Sequence, residues 1–172
     1  SEAIRAELTK QAQKKGRKYF QDLNRVRGDA LAVQYELATK EAQKEMKLYR
    51  NIPLFASALA LYWGEGDKRS KNQVRITNVD PVLLRVFVAF LKDICGVPEE
   101  KIKLALFIYP DLKELKCKRY WKKELGLDQF HKTQVLPSRE KSKRLPYGVC
   151  TVVVSNSILK CKLNYWIDHL PE

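Results

Sequence analysis

The stretch that decides the fold is ALALYWGEGD, residues 58–67, in which an apolar run ends directly in Gly-Glu-Gly-Asp. The residues before it read NIPLFAS, so Pro53 falls in the first turn of a helix, where its missing N–H costs nothing. No helix breaker follows before Gly64. The pattern therefore predicts a buried helix that begins near Pro53 and carries Glu65, a carboxylate between two glycines, at its end.

Three small residues of this helix lie on one stripe. Ala56, Ala60 and Gly64 are spaced at i, i+4 and i+8, and small residues at that spacing let two helix backbones approach closely. Two partners fit the stripe: the chain's own sheet, or the same helix of a second copy across a two-fold axis. We favour the second, which predicts a homodimer interface at these three residues and brings two Glu65 side chains together.

Two carboxylates held side by side are costly unless a cation lies between them. Mg²⁺ commonly binds one or two carboxylates together with substrate phosphates, and a bound metal can activate water for attack on a phosphodiester. The motif therefore predicts a divalent metal site at Glu65, with the backbone of Gly64 beside it. Glycines on both sides are expected to allow unusual backbone angles and a close approach of DNA, and Asp67 is expected to begin a turn.

The motif ALALYWGEG resembles the LAGLIDADG motif of homing endonucleases, which in many members ends in Gly-Asp-Gly or Gly-Glu-Gly. Aligned on the closing glycine, Gly66, the small packing residues of the family fall on Ala60 and Gly64, and its metal-binding acid falls on Glu65. Trp63 stands where the family usually has an internal acid. The resemblance implies a homodimer, since the chain has one motif, and a saddle-shaped sheet on double-stranded DNA. It also implies catalysis by Glu65 of each subunit with a divalent metal.

The rest of the chain after the motif follows an α+β pattern. The predicted elements are a strand at 73–78 (QVRITN), a helix at 82–94 capped by Asp80-Pro81, a strand at 101–109 (KIKLALFIY), a helix at 111–125 opened by a capping box of Asp111 and Glu114, a strand at 149–155 (VCTVVVS) and a last helix that begins at 155–157. Residues 67–72 (DKRSKN) fit a turn and a strand equally well, and residues 130–148 are interpreted as a basic connection.

If residues 67–72 form a strand, the order becomes αββαββα with an extra helix, as in the LAGLIDADG fold. We then expect an antiparallel sheet with its helices on one face. The other face would carry Arg75, Thr77, Lys101 and Lys103, a basic surface of the right shape to enter a duplex groove.

The net charge points to a polyanionic partner. The 172 residues include 33 Lys and Arg and 20 Asp and Glu, a net charge of +13, which favours nucleic acid. A solvated basic surface explains the charge equally well. The predicted DNA contacts, which rest on the strand and loop pattern, are Lys68, Arg69, Lys71, Arg75, Thr77, Lys101, Lys103, Lys132, Arg139, Lys141, Lys143 and Arg144.

Residues 1–50 differ from residues 51–172, which we take as the LAGLIDADG-like domain. The first 50 residues contain no proline and carry twelve basic and seven acidic residues. We expect a helical, basic extension of one or two helices, with Gly16 and Gly28 as candidate interruptions. It could widen the DNA footprint or strengthen the dimer, and the sequence does not choose.

Four widely spaced cysteines and two histidines match no zinc-ligand spacing. We therefore expect free thiols in the reducing cytoplasm, no structural metal and no small-molecule cofactor. No apolar run is long enough to span a bilayer, so a membrane partner is not expected.

The function predicted from these features is metal-dependent, site-specific cleavage of double-stranded DNA by a homodimer, with Mg²⁺ as the cofactor. The alternative is a DNA-binding regulator or accessory protein that keeps the fold without cleavage, because a fold does not fix an activity. RNA binding and a basic scaffold without a site also fit the charge, although no RNA-stacking motif is apparent.

Overall fold

The computed structural model describes residues 2–137 and 145–170, with the side chains of residues 2–6, 8 and 12 left aside. The chain divides into two compact units, residues 1–38 and residues 39–172. The boundary between these units falls inside the first helix, α1 (Glu2–Tyr49), because Ala42, Met46 and Tyr49 pack into the core of the second unit.

The first unit is helical along its described length. Gly16 and Gly28 do not interrupt α1, so the basic extension forms one helix and not two. A glycine inside a helix costs only about 1 kcal/mol relative to alanine, which the neighbouring Ala, Lys, Gln and Glu residues offset.

The second unit contains four further helices and four strands within the described residues. They are α2 (Pro53–Glu65), β1 (Gln73–Asn78), α3 (Pro81–Ala89, continued by a π-helical turn at Phe90–Ile94), β2 (Lys103–Ile108), α4 (Glu114–Leu125), β3 (Phe130–Val135), β4 (Val149–Ser155) and α5 (Ser157–Asp168). The chain is therefore of the α+β class, as predicted.

Several helix ends follow from local sequence. Proline occupies the first turn of α2, the Asp80 side chain accepts the N–H of Val82 at 2.8 Å, and Asn156 accepts the N–H of Leu159 at 2.9 Å. The predicted capping box of α4 is wrong. This helix begins at Glu114 without a side-chain cap, because Leu112 closes a turn onto the Tyr109 carbonyl first.

The sheet is mixed and not antiparallel, which corrects the prediction. Its strand order is β1-β4-β2-β3; β4 pairs antiparallel with β1 and β2, whereas β2 and β3 run parallel. Residues 130–135, interpreted as a connection, form this extra edge strand. Parallel neighbours need a long crossover, and α4 provides it.

Of the two alternatives for residues 67–72, a turn or a strand, the structure has the turn. Only an isolated bridge between Gly66 and Ile76 joins this segment to β1, and the remainder is a turn. The αββαββα order is therefore incomplete at its first hairpin.

The core lies on one side of the sheet. Phe55, Leu84, Trp121 and Trp166, one residue from each of α2 to α5, belong to a single buried cluster. The strands contribute alternate residues to it: Val74, Ile76, Leu104, Leu106, Val152 and Val154 are nearly inaccessible. As predicted, Arg75 and Thr77 point the other way and are exposed.

Candidate nucleic-acid interface

The face of the sheet opposite the core lines an open groove of about 540 Å³. Its polar and charged lining consists of Glu65, Asp67, Gln73, Arg75, Thr77, His131, Lys132 and Thr151. The apolar remainder includes Ala105, Phe107 and Val153. The groove thus has an apolar and hydroxyl floor with charged residues toward its edges.

The floor is held by strand pairing. Thr77 and Thr151 are paired in register across β1 and β4, and their hydroxyl oxygens are 2.8 Å apart. Thr151 is only 4% exposed although it lies on the open face, so the floor is recessed. Arg75, one pair further along β1, extends from it with 45% of its side chain exposed.

Glu65 is the last residue of α2 and lies on the lining of this groove. Among the residues that the structure describes, none forms a hydrogen bond or an ion pair with its exposed side chain. The carbonyl of Gly64 lies in the same last turn, where helix carbonyls lack an intrahelical partner. The carboxylate and the carbonyl are thus both available to a ligand outside the chain.

Asp67, two residues later, is fully engaged. One oxygen accepts the N–H groups of Arg69 at 2.9 Å and Ser70 at 3.3 Å, and the other accepts Nε of Arg75 at 3.0 Å and its Nη2 at 2.5 Å. Burial alone would raise the pKa of Asp67, but the Arg75 side chain and the two N–H groups outweigh it, so the pKa lies below its ordinary value. As predicted, Asp67 begins a turn, and it also fixes the guanidinium of Arg75.

A buried lysine lies behind this turn. Lys160 of α5 is 1% exposed, and its Nζ donates to the hydroxyl of Tyr62 at 2.8 Å and to the backbone carbonyl of Asp67. The Tyr62 hydroxyl donates to the same carbonyl at 2.8 Å. We call Tyr62, Asp67, Arg75 and Lys160 the turn network.

Burial shifts both titratable groups behind the turn toward their neutral forms. It raises the pKa of Tyr62 to about 12 and lowers the pKa of Lys160 below its ordinary value. Lys160 was not among the residues predicted from the sequence. The available signal was a lysine next to Leu159 and three residues before Leu163, on the apolar side of the last helix.

The two glycines of the motif have different roles. A Cβ at Gly66 would lie 2.4 Å from the Tyr62 carbonyl and 2.6 Å from its ring, so only glycine fits there. A Cβ at Gly64 would meet nothing within 4 Å. The expected unusual backbone angles are not found, because Gly64 is helical and Gly66 has φ −77°. Gly66 instead permits the close approach of the chain's own tyrosine.

The small-residue stripe is only partly covered. Ala56 is half-buried, whereas Ala60 and Gly64 are exposed and the adjacent Trp63 is 53% exposed. The buried side of α2 carries other residues, namely Phe55, Ala58, Leu59 and Tyr62. Packing of the stripe on the chain's own sheet is therefore wrong for Ala60 and Gly64.

The other predicted DNA contacts fall into three places. Lys68, Arg69 and Lys71 are exposed on the turn between α2 and β1, and Lys132 lies in the groove with Arg75 and Thr77. Lys103 pairs with Val153 on the open face of the sheet, as predicted, and together with Lys101 it lines a second cavity of about 440 Å³ near the start of α5. Arg139, Lys141, Lys143 and Arg144 lie outside the described residues.

His131 also lies in the groove and was not predicted. Its Nδ1 is 3.1 Å from the Leu104 carbonyl, so this nitrogen is the ring donor. The sequence offered no signal for it, because β3 itself was not recognised.

A divalent ion fits the donor chemistry at Glu65 only in part. One exposed carboxylate and one free helix-end carbonyl are hard oxygen ligands of the kind that Mg²⁺ prefers. In residues 2–137 and 145–170, no group of three or more His, Cys, Asp and Glu side chains could hold a metal. Among the described residues, one chain alone would thus offer only part of the ligand set of such an ion.

Comparisons with protein-family models, curated proteins and solved structures give no match. The resemblance to the LAGLIDADG motif thus rests on the residues of this chain alone. No described helix combines the length and the apolar character that crossing a membrane requires.

Proposed function

We propose that this protein binds double-stranded DNA as a homodimer through the groove of the open sheet face, and that paired Glu65 side chains support metal-dependent cleavage of a phosphodiester bond. The observation that carries the proposal is the Glu65 carboxylate, which is exposed, has no partner among the described residues and lies on the lining of a groove that also holds Arg75 and Lys132. The proposal places the protein in the cytoplasm with its DNA.

DNA binding is supported by charge and shape. The chain has a net charge of +13, and the open face presents strands, which can enter a duplex groove as a β-ribbon. Because Asp67 fixes Arg75, the guanidinium is held in one orientation and can present its remaining N–H donors to a base edge or a phosphate. Lys68, Arg69 and Lys71 on the adjacent turn suit phosphate contacts.

The homodimer is supported by the uncovered part of α2. Ala60 and Gly64 would allow two such helices to approach closely, and the half-exposed Trp63 beside them would bury apolar area in the same contact. A close two-fold pairing there would bring the two Glu65 carboxylates to the axis.

Glu65 from each chain and the Gly64 carbonyl would hold the divalent metal, which when bound activates water and stabilises the leaving oxygen. Within the chain, Glu65 provides charge and orientation at the end of a rigid helix. The turn network keeps the segment after Glu65 in place, because Lys160 and Tyr62 bind the Asp67 carbonyl.

Cleavage is tested with a randomised duplex DNA library and Mg²⁺, comparing wild type with Glu65→Gln. We expect the wild type to cut at specific sites. The Glu65→Gln variant should cut at least about 10³-fold more slowly, and its affinity for DNA, measured in Ca²⁺, should be unchanged. Cutting at an unchanged rate by Glu65→Gln would refute the assignment of Glu65. Equal affinity for duplex DNA, RNA and heparin would refute specific recognition of duplex DNA.

The α2 interface is tested through Trp63, since Trp121 and Trp166 are inaccessible. Ala60→Leu should separate the two helices and make Trp63 more accessible to acrylamide quenching, whereas Ala32→Leu, at another exposed alanine, should not. Equal quenching of wild type and Ala60→Leu at all protein concentrations would contradict this interface.

The alternative is a DNA-binding regulator that does not cleave. It is favoured by one observation: within the described residues, the acid nearest to Glu65 in sequence, Asp67, is fully occupied by Arg75 and the turn. Specific duplex binding that persists with no cutting in Mg²⁺ or Mn²⁺ would establish this alternative.

A further inference from the structure

The helix α1 exposes several large apolar side chains along one side. Tyr19, Val26, Val33 and Leu37 are 64%, 60%, 57% and 55% exposed. A helix whose apolar stripe is left in water gains little stability from its own sequence, because most helical stability comes from packing of that stripe. The exposure therefore calls for a partner.

The spacing of the stripe is that of a coiled-coil seam. Its members, separated alternately by three and four residues, are Gly16, Tyr19, Leu23, Val26, Ala30, Val33 and Leu37. An average spacing of 3.5 residues is the heptad repeat, with 16, 23, 30 and 37 at a and 19, 26 and 33 at d. Because α1 runs through Gly16 and Gly28 without a break, the phase is kept along the whole segment.

The flanking charges select the orientation of the partner. The g positions carry Asp22, Asp29 and Glu36, and the e position after Asp22 carries Arg27. In a parallel pair, the g position of one helix faces the following e position of the other. Asp22 of each chain therefore faces Arg27 of the other chain, which gives two equivalent ion pairs. An antiparallel pair would place acidic g positions opposite each other. The complementary contact is thus the pair of Asp22 and Arg27, since the e positions after Asp29 and Glu36 carry Gln34 and Glu41, and this pair favours the parallel arrangement.

The limits of the seam are also defined. Continuing the heptad places Lys40, Lys44 and Lys47 at a and d positions, so the apolar seam ends at Leu37. The basic residues Lys14, Arg17, Lys18 and Arg25 fall at the outward b, c and f positions. They remain free of the seam.

We propose that residues 16–37 of α1 form a parallel, two-stranded coiled coil with the same residues of a second copy. This interface is separate from the α2 contact and does not depend on DNA binding or cleavage. A second copy is the occupant because Asp22 at g and Arg27 at e complement each other in both directions of the pair.

Disulfide trapping tests the pairing directly. The full-length chain is used with Cys95→Ser and Cys161→Ser, because those two thiols are half-buried while Cys117 and Cys150 are buried. Tyr19→Cys and Val33→Cys, made separately, should each give a covalent dimer, since identical d positions face each other only in a parallel pair. Leu31→Cys, at an exposed position outside the seam, is the matched control. It should give at least about tenfold less covalent dimer.

Three outcomes of trapping would overturn the proposal. A yield of covalent dimer no greater than that of the Leu31→Cys chain would exclude the seam. A cross-link between mixed Tyr19→Cys and Leu37→Cys chains, with none in either chain alone, would show an antiparallel pair, in which a d position faces an a position. A mass of three or four chains by sedimentation would exclude two strands, a relevant outcome because leucine at a with β-branched residues at d also suits larger coils.

Charge reversal gives an independent measurement on the same chain. Asp22→Arg and Arg27→Asp should each lower the yield of the Val33→Cys cross-link, by about threefold to fivefold, and the double reversal should restore it. Single reversals without effect, or a double variant as weak as the singles, would overturn the pairing of Asp22 with Arg27.

Discussion

Two carboxylates two residues apart occupy opposite situations in this chain. Asp67 accepts four hydrogen bonds, from Arg75, Arg69 and Ser70, whereas Glu65 has no partner among the described residues. The glycines before them differ in the same way: Gly66 is required by the contact with Tyr62, whereas a Cβ at Gly64 would meet no described residue within 4 Å. The difference separates the part of the motif that stabilises the fold from the part that the described residues leave uncovered.

The turn network explains why this separation is sharp. Lys160 and Tyr62 hold the Asp67 carbonyl from within the core, so the backbone just beyond Glu65 is fixed. Glu65 is therefore held on a rigid support, although its side chain has no partner in residues 2–137 and 145–170. The predictions that follow exploit this contrast between Glu65–Gly64 and Asp67–Gly66.

The largest effect is expected for Gly66→Ala. The added Cβ overlaps the Tyr62 carbonyl and ring, so the free energy of unfolding should fall by about 3 kcal/mol. Gly64→Ala is the matched control and should raise the stability of the single chain by about 0.5–1 kcal/mol, since it replaces glycine in a helix. Urea unfolding measures the stability of both variants. Equal losses of stability for Gly66→Ala and Gly64→Ala would contradict the different roles of the two glycines.

A smaller loss is expected when Lys160 is truncated. Lys160→Ala removes two hydrogen bonds and leaves a cavity, which should cost about 2 kcal/mol. Lys160→Met, which keeps the volume and removes a buried charge, should cost less than half of that. If the two variants unfold at the same urea concentration, the Lys160 side chain does not fill space in the core, which would contradict its burial in the structure.

Asp67→Asn should reduce stability by about 1–2 kcal/mol at pH 7, because the charge-assisted bonds to Arg75 are lost. Since the native pKa lies below the unfolded value of 3.8, this stabilisation is present above pH 3.8 and is lost as the pH falls through the native pKa. Unfolding curves of both proteins from pH 7 to pH 2 should therefore converge at the acid end. A difference in the free energy of unfolding that stays constant from pH 7 to pH 2 would contradict the assignment of this stabilisation to the Asp67 carboxylate.

The smallest effect on stability is expected for Glu65→Gln. Because its exposed side chain has no partner among the described residues, the substitution should change the free energy of unfolding by no more than about 0.5 kcal/mol at pH 7. A loss comparable to that of Asp67→Asn would mean that Glu65 serves the fold.

Much of the fold could be predicted from local sequence. Pro53, Asp80 and Asn156 set the starts of three helices through interactions within one turn, and the alternation in 73–78 defines β1. Such signals need only the neighbouring residues.

The features that escaped prediction depend on distant contacts or weak patterns. β3 has the burial of an edge strand, without the strict alternation that marks a half-buried strand, and its parallel pairing arises from α4. Lys160 meets Tyr62 across 98 positions of sequence, so only its place beside Leu159 could have suggested burial. At the candidate site, Glu65 and the stripe were accessible to sequence reasoning, whereas the fixation of Arg75 by Asp67 was not.

The central claim is that Glu65 of two chains meets at a two-fold axis. Its most direct test is a pulsed EPR distance between spin labels at Glu65→Cys, in a chain that also carries Cys95→Ser and Cys161→Ser. Helices paired through small residues lie about 8 Å apart, so a single distance below about 20 Å between the two labels is expected once the label arms are added. A distance beyond about 40 Å, or no dipolar coupling at concentrations where the protein is dimeric, would contradict the paired site.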